Sequence, residues 1–276
     1  MMIDELGELN AGGTGDGSLP DTGTATRARG GWPGPGWFMV LGLYLTLYAS
    51  WLLWHWIPLD QTLVGHAMLD PMNAVAAFMA WRASRSVRRS RRTALTWRLI
   101  SLALLGQCAG GVAASIYSLL GHSPYPSLAD PLYLSFYPLM LCALLAVPHV
   151  RRARSHNIRF GLDLAITALG AATVVWYVLI APTARAGGQS TLQMAFSLAY
   201  PVGDVILIAG VASLLLRGVV GSTRRALWLV TAAFCLFVIG DALYAYVTLY
   251  GVFASSDALN LTYAMAFVLF ILAAHC

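Results

Sequence analysis

The sequence predicts an all-α integral membrane protein with eight transmembrane helices. Of its 276 residues, 58% are hydrophobic and only 11% are charged, whereas about a quarter of the residues in a soluble domain are charged. Several apolar runs reach the roughly 20 residues that a helix needs to cross a bilayer. The lipid bilayer is therefore an expected partner. No nucleic-acid partner is expected, because no basic residues are interleaved with aromatic residues on a soluble face.

The apolar runs place the helices in order along the chain. Residues 1–34 are rich in Gly, Thr and Asp and show no apolar period, which predicts a disordered cytoplasmic tail. The transmembrane domain is predicted over residues 35–276, with prolines, polar turns and arginine-rich loops between its helices. The predicted helices are Trp37–Ile57, Thr62–Trp81, Ala94–Leu120, Leu128–Val147, Phe160–Ala181 (closed by Pro182), Thr191–Leu216, Ala226–Tyr250 and Asp257–Ala274.

The distribution of arginine predicts the orientation. All 17 basic residues are Arg, and they cluster between the predicted helices. If the N-terminus is cytoplasmic, 16 of the 17 lie on the inner side and Arg185 alone lies outside. The excess of positive charge on cytoplasmic loops predicts a multi-pass protein of the inner (plasma) membrane with both termini in the cytoplasm.

The two halves of the chain resemble each other. Repeat 1 covers about residues 37–148 and repeat 2 about residues 160–275. In the predicted alignment Asp70 corresponds to Asp204, and Asp130 corresponds to Asp257. Because four spans is an even number, the copies are expected to be parallel, related by an axis along the membrane normal.

Most of the aspartates beyond the N-terminal tail fall in the half of the domain away from the arginines. The helical rise of 1.5 Å per residue places Asp70 about 18 Å from Arg82 and Asp204 about 20 Å from Arg217. Intramembrane carboxyl groups are costly and often mark functional sites. We therefore predict an outward-facing polar pocket for ligand binding or sensing, lined by Asp70, Asp130, Tyr133, Tyr137, Tyr200, Asp204, Asp241 and Tyr244.

Several kinds of ligand are compatible with such a pocket. Its carboxyl groups could bind a cation, an amine or protons, or a metal together with the outer histidines. The histidine spacing favours interfacial polar residues over metal ligands, so neither a metal nor a cofactor is predicted. No catalytic motif is present, and no enzymatic activity is predicted for this chain.

A structural alternative applies to each acid. Asp130 and Asp257 begin predicted helices, where a carboxylate accepts hydrogen bonds from free backbone amides and caps the helix. Asp163 is expected to pair with Arg159 or with a neighbouring helix. The positions of Asp70, Asp204 and Asp241 inside predicted helices favour a functional role for these three.

Several short motifs resemble one type of membrane domain. It is the N-terminal multi-helix sensory domain of actinobacterial cyclic-di-GMP signalling proteins, in which GGDEF and EAL domains follow in the cytoplasm. The motifs are the run Ser127–Pro138, Leu162–Asp163, Tyr200–Asp204, Gly240–Tyr244 and Leu272–His275. One departure is Gly110-Gly111, near a position where members of the family often carry an acid.

The resemblance implies a sensory input domain that passes a signal from the polar pocket to a cytoplasmic cyclic-di-GMP signalling domain or protein. Such a domain would begin after His275, so the chain is either a stand-alone sensor or the membrane part of a longer protein. The chain could also form a homodimer. Two other functions remain open: a small-solute or proton-coupled membrane transporter, and a structural membrane subunit whose acids only pack helices.

Overall fold

The computed structural model describes residues 35–85, 90–122, 124–147, 154–186, 190–217, 224–250 and 258–276. These residues form helices joined by turns and contain no strand. The predicted tail at residues 1–34 lies outside them. The helices are α1 Pro35–Trp54, α2 Gln61–Ser84, α3 Arg91–Leu119, α4 Ala129–Leu134, α5 Phe136–Ala146, α6 Arg154–Val175, a π-helical turn Trp176–Ile180, α7 Ala181–Ala186, α8 Thr191–Arg217, α9 Arg224–Tyr250 and α10 Asn260–His275.

Five helical stretches in the described part are long and apolar enough to cross a membrane. Two shorter apolar helical stretches, Ala165–Val178 and Asn260–His275, accompany them. Large apolar side chains cover the outside of the structure; Leu43, for example, is 71% exposed and Leu169 is 70% exposed. A surface of this kind suits a lipid environment. The five are Gly36–Trp54, Arg91–Leu119, Ala129–Ala146, Thr191–Leu215 and Arg224–Thr248.

Helix α2 is long but less apolar than these five. It has 24 residues, and its sequence includes His66, Asp70 and Asn73. All three side chains line an internal cavity. The polar residues that lower the hydropathy of α2 are thus directed into the protein.

Proline changes the predicted helices at two places. The predicted helix Leu128–Val147 is divided into α4 and α5 at Ser135, because Pro138 has no N–H to donate to the carbonyl of Leu134. The predicted end at Pro182 is wrong, since helical structure continues through it to Ala186. Just before this proline the Ala181 amide donates to the carbonyl of Trp176, and this widened π-helical turn accommodates the missing donor.

The helices of the two halves pack against each other as well as within each half. Helix α2 packs on α3 and α10, α9 packs on α10, and α5 packs on both α3 and α8. Aromatic rings fill the junction of α5, α9 and α10. Phe136 and Phe237 stack with ring centroids 4.4 Å apart, and Phe234 meets Phe270 edge to face at 5.6 Å. Phe237 of this cluster also lines the internal cavity.

Candidate functional site

A cavity of about 550 Å³ lies inside the helix bundle. Its lining comes from residues of α1–α5, α8–α10 and the α3–α4 connection. Because Tyr125 and Thr248 contribute to it, the cavity lies towards the ends of α3 and α9 that are remote from Arg91 and Arg224. All eight side chains of the predicted pocket line this one cavity: Asp70, Asp130, Tyr133, Tyr137, Tyr200, Asp204, Asp241 and Tyr244.

Asp241 on α9 is held by two tyrosine hydroxyl groups from different helices. Tyr137 on α5 donates a hydrogen bond to its Oδ2 atom, and Tyr263 on α10 donates one to its Oδ1 atom, each at 2.7 Å. Both oxygens of this carboxyl group therefore have a donor. The three side chains join α5, α9 and α10 at the cavity wall.

Asp204 on α8 has one buried carboxyl oxygen without a hydrogen-bond partner. Its side chain is only 4% exposed, and its Oδ1 atom accepts no hydrogen bond from the protein. The carboxyl group interacts with Asp241 and with Tyr137. Two carboxyl groups in contact repel each other unless a proton or a cation is shared between them. The Asp204–Asp241 pair can therefore hold a proton or a positively charged group.

Asp130 combines a structural contact with a cavity contact. The prediction that it is the N-cap of its helix is wrong in position, because α4 begins at Ala129 and the N-cap is Leu128. The carboxyl group lies in the first turn and accepts from the Ser127 backbone amide at 2.6 Å, while Ser127 Oγ accepts from the Ala129 amide. The two bonds hold the start of α4 in the manner of a capping box, but Ser127 precedes the N-cap and its Oγ accepts from the amide two residues on instead of three. The other carboxyl oxygen accepts from the Tyr200 hydroxyl at 3.1 Å.

Asp70 on α2 lies beside a histidine and a glycine. Its Oδ1 atom is 3.9 Å from Nδ1 of His66, one turn earlier. On its other side it contacts Gly111 of α3, where a Cβ atom would overlap the carboxyl group. The absence of a side chain at Gly111 thus leaves room for Asp70 between the helices. Of the predicted acids outside the pocket, Asp163 is exposed, whereas Asp257 and the side chain of Arg159 lie outside the described part.

Glycines also make room for three cavity tyrosines. A Cβ atom at Gly110 would lie 2.5 Å from the ring of Tyr133, and one at Gly203 would lie 2.5 Å from the ring of Tyr137. A Cβ atom at Gly240 would lie 2.8 Å from the ring of Tyr263. Each of these tyrosine rings therefore packs directly against the backbone of a neighbouring helix.

Tyr125 ties the α3–α4 connection to the start of α8. Its hydroxyl group lies 2.7 Å from Ser197 Oγ, and its carbonyl accepts from Gln193 at 3.0 Å. Burial raises the pKa of the Tyr125 hydroxyl above its ordinary value, the hydrogen bond with Ser197 lowers it, and the charge of Asp130 raises it. The hydroxyl group consequently remains neutral at physiological pH and can donate at the cavity rim.

Several lining residues were not predicted from the sequence. The most important are Tyr263, Asn73 and Tyr48, together with His66 and Asn260. A signal for two of them is present in the sequence, because Tyr133 and Tyr263 have the same separation along the chain as Asp130 and Asn260. Equal separations are typical of corresponding positions in a repeat. Asn73 and Tyr48 carry no comparable signal, because single Asn and Tyr residues are common in apolar helices that pack against one another.

No metal centre is evident in the part of the chain that the structure describes. Groups of three or more His, Cys, Asp and Glu side chains suitable for a metal ion are absent there. The polar groups that line the cavity are instead tyrosine hydroxyls, carboxyl groups and amides. Such a set favours organic molecules that carry hydrogen-bond donors or positive charge.

Comparison with known proteins gives no relative. No protein-family model matches the chain, and neither a curated protein nor a solved structure is significantly similar to it. Function must therefore be inferred from the cavity itself.

Proposed function

We propose that the chain is a membrane-embedded sensory domain, in which a small molecule enters the cavity and thereby changes the position of α10. One contact carries this proposal: Tyr263 of α10 donates to the buried Asp241 of α9 inside the cavity. The same helix ends at His275, far from the cavity along its axis. A change at the Asp241–Tyr263 bond can therefore be transmitted along α10 as a movement of a rigid element.

The output that we propose is cyclic-di-GMP signalling in the cytoplasm. This part rests on the resemblance of the motifs at Ser127–Pro138 and Tyr200–Asp204 to the membrane domains of such signalling proteins. In the proposed topology eight helical segments cross the inner membrane, and the arginine-rich loops face the cytoplasm with both termini. The cavity then opens towards the outer side, and residues 35–276 serve as an input domain and not as a catalytic one.

Two parallel repeats are also part of the proposal. Pro71 and Pro201 have the same separation along the chain as Gly110 and Gly240. Two contacts show the same separation. Gly110 lies against Tyr133 of α4, Gly240 lies against Tyr263 of α10, and the two tyrosines are as far apart along the chain as the two glycines. Helix packing agrees, because α5 packs on α8 while α10 packs on α2. In this register the counterpart of Asp70 is Tyr200, one helical turn before Asp204.

The transmission step can be tested with a distance measurement between α2 and α10. Spin labels would be attached to Cys276 and to an introduced Arg85→Cys, after replacement of the other three cysteines by Ala. We expect Tyr263→Phe to shift the distance distribution, because it removes the hydrogen bond between α10 and the cavity. Tyr177→Phe, at an exposed tyrosine outside the cavity, is the matched control. Identical distributions for both variants would contradict transmission through α10.

A second candidate function is a proton-coupled transporter, and the Asp204–Asp241 pair favours it. Paired intramembrane carboxyl groups are a common feature of proton pathways. The test is proton flux in proteoliposomes under an imposed pH gradient. Flux that Asp204→Asn abolishes and Asp163→Asn leaves intact would support a transporter, whereas the absence of such flux would leave the sensory proposal preferred.

A further inference from the structure

The charge of the cavity wall is one-sided. Four carboxyl groups, those of Asp70, Asp130, Asp204 and Asp241, line the cavity together with one histidine. None of the lining residues in the described part of the chain is an arginine, and the sequence contains no lysine. A positively charged ligand therefore meets no fixed positive charge in this wall, only carboxyl groups and the imidazole of His66.

Three buried polar atoms in this wall have no hydrogen-bond partner from the protein. Two are acceptors only, namely Oδ1 of Asp204, whose residue is 4% exposed, and Oδ1 of Asn73, whose residue is 2% exposed; the third is the hydroxyl of Tyr48, which can accept as well as donate. A buried acceptor without a hydrogen bond is unfavourable. The oxygens of Asp204 and Asn73 are therefore suited to a ligand that brings N–H or O–H donors, and Asp204 in particular to a charged donor.

Tyrosine rings add a second attraction for positive charge. Seven tyrosines line the cavity: Tyr48, Tyr125, Tyr133, Tyr137, Tyr200, Tyr244 and Tyr263. Aromatic faces attract organic ammonium groups, and a volume of about 550 Å³ is in the range of small-molecule pockets. A bare metal ion would use neither the rings nor the volume.

We propose that the ligand of the cavity is a small organic amine in its protonated form, with an N–H group donating to Oδ1 of Asp204. This inference rests on the proposed ligand-binding role and names the chemical class of the ligand. The ammonium group has three donors and no acceptor, which matches the open oxygens of Asp204 and Asn73, and the open hydroxyl of Tyr48 can accept as well. Asn73 provides a further acceptor, and the tyrosine rings surround the organic part.

The test uses the full chain in a nonionic detergent and three probes of one shape. These are 2-phenylethylamine, its neutral analogue 2-phenylethanol, and the carboxylate 3-phenylpropanoate. Aliphatic amines of increasing length extend the series in case the aromatic ring does not fit. Binding is measured by ligand-detected NMR and by the shift of the melting temperature. We expect an amine to bind at least about tenfold more tightly than its matched alcohol, and the carboxylate not to bind.

Variants locate the binding position. Asp204→Asn should weaken amine binding by at least about tenfold, and Asn73→Ala should weaken it to a smaller extent. Asp163→Asn, at an exposed acid outside the cavity, should leave binding unchanged. If Asp204→Asn fails to fold, the comparison of amine and alcohol on the unaltered chain still decides the question.

Three results would overturn the inference. They are equal binding of amine and alcohol, which would mean that water satisfies the open acceptors; the absence of binding by every amine at 10 mM; and unchanged amine binding in folded Asp204→Asn. A distance change between α2 and α10 in Tyr263→Phe would still support the sensory proposal in each case. Failure of the amine inference can therefore be distinguished from failure of the sensory proposal.

Discussion

At the residue scale, the two tyrosine hydroxyls on Asp241 make short polar contacts at the cavity wall. Tyr137 and Tyr263 approach its carboxyl oxygens to 2.7 Å, a distance typical of strong hydrogen bonds between hydroxyl and carboxyl oxygens. A buried carboxyl group that loses a donor is left with an unsatisfied oxygen. These contacts should therefore stabilise the protein as well as position α10.

The substitution Tyr137→Phe tests the contribution to stability. We expect it to lower the free energy of unfolding by about 1–3 kcal/mol, because one oxygen of Asp241 loses its donor while the ring remains. The measurement is thermal unfolding of the purified protein in detergent, with Tyr177→Phe as control. The two variants melting at the same temperature would show that the Asp241 contact contributes nothing to stability.

At this scale, the sequence indicates which acids line the cavity where a residue type is rare in its surroundings. Aspartate within apolar helices is conspicuous, and the helical rise places Asp70, Asp204 and Asp241 at similar depths. The sequence prediction missed Asn73 and Tyr263. The position of each depends on how helices pack across the bundle, which hydropathy along one helix does not report.

At the element scale, glycines on α3, α8 and α9 determine how closely the helices pack. Gly110 and Gly203 each lie against a tyrosine ring of the α4–α5 segment, and Gly240 lies against a ring of α10. Small residues at helix interfaces allow this close approach in membrane proteins. Three of the tyrosines that line the cavity thus pack directly on the glycine backbone of a neighbouring helix.

Replacing one of these glycines by alanine should loosen the packing. We expect Gly110→Ala to destabilise the protein by about 1–3 kcal/mol, because the added methyl group overlaps the packed ring of Tyr133. Gly170→Ala is the matched control, since a Cβ atom there has no neighbour within 4 Å and alanine favours the helix by about 1 kcal/mol. Thermal unfolding in detergent measures both, and a melting temperature of Gly110→Ala at or above that of the control would contradict this role.

The sequence predicts helices better than it predicts their irregularities. Predicted helices and observed helical segments correspond in order, because apolar runs mark them clearly, but α6 begins at Arg154, before the predicted start at Phe160 and inside the predicted arginine-rich loop. The break at Ser135 and the π-helical turn before Pro182 were not predicted. Proline signals a lost donor, but whether the helix stops, breaks or widens depends on the neighbouring turns and helices.

At the scale of the whole molecule, the cavity lies at the end of the bundle opposite to Arg91 and Arg224. Tyr125 and Thr248 lie at the cavity end, whereas Arg91 and Arg224 begin their helices at the other. The charge distribution leads us to place the arginine end in the cytoplasm. The orientation of the cavity follows from that assignment.

Labelling with a membrane-impermeant maleimide tests this orientation. In a chain whose only cysteine is Cys276, which is exposed at the end of α10, we expect no labelling in intact cells and full labelling after permeabilisation. A chain with His122→Cys as its only cysteine, in the α3–α4 connection at the cavity end, should be labelled in intact cells. Labelling of Cys276 from outside would invert the proposed topology.

The central claim is that the cavity is the input site of a sensor, and the output of a fused enzyme tests it most directly. A diguanylate cyclase would be fused after His275, and cyclic di-GMP would be measured for single Asp70→Asn, Asp130→Asn and Asp204→Asn variants beside Asp163→Asn. We predict an altered output for Asp204→Asn and for at least one other cavity variant, and an unaltered output for Asp163→Asn. Equal output from all four normally expressed variants and the unaltered chain would contradict the claim.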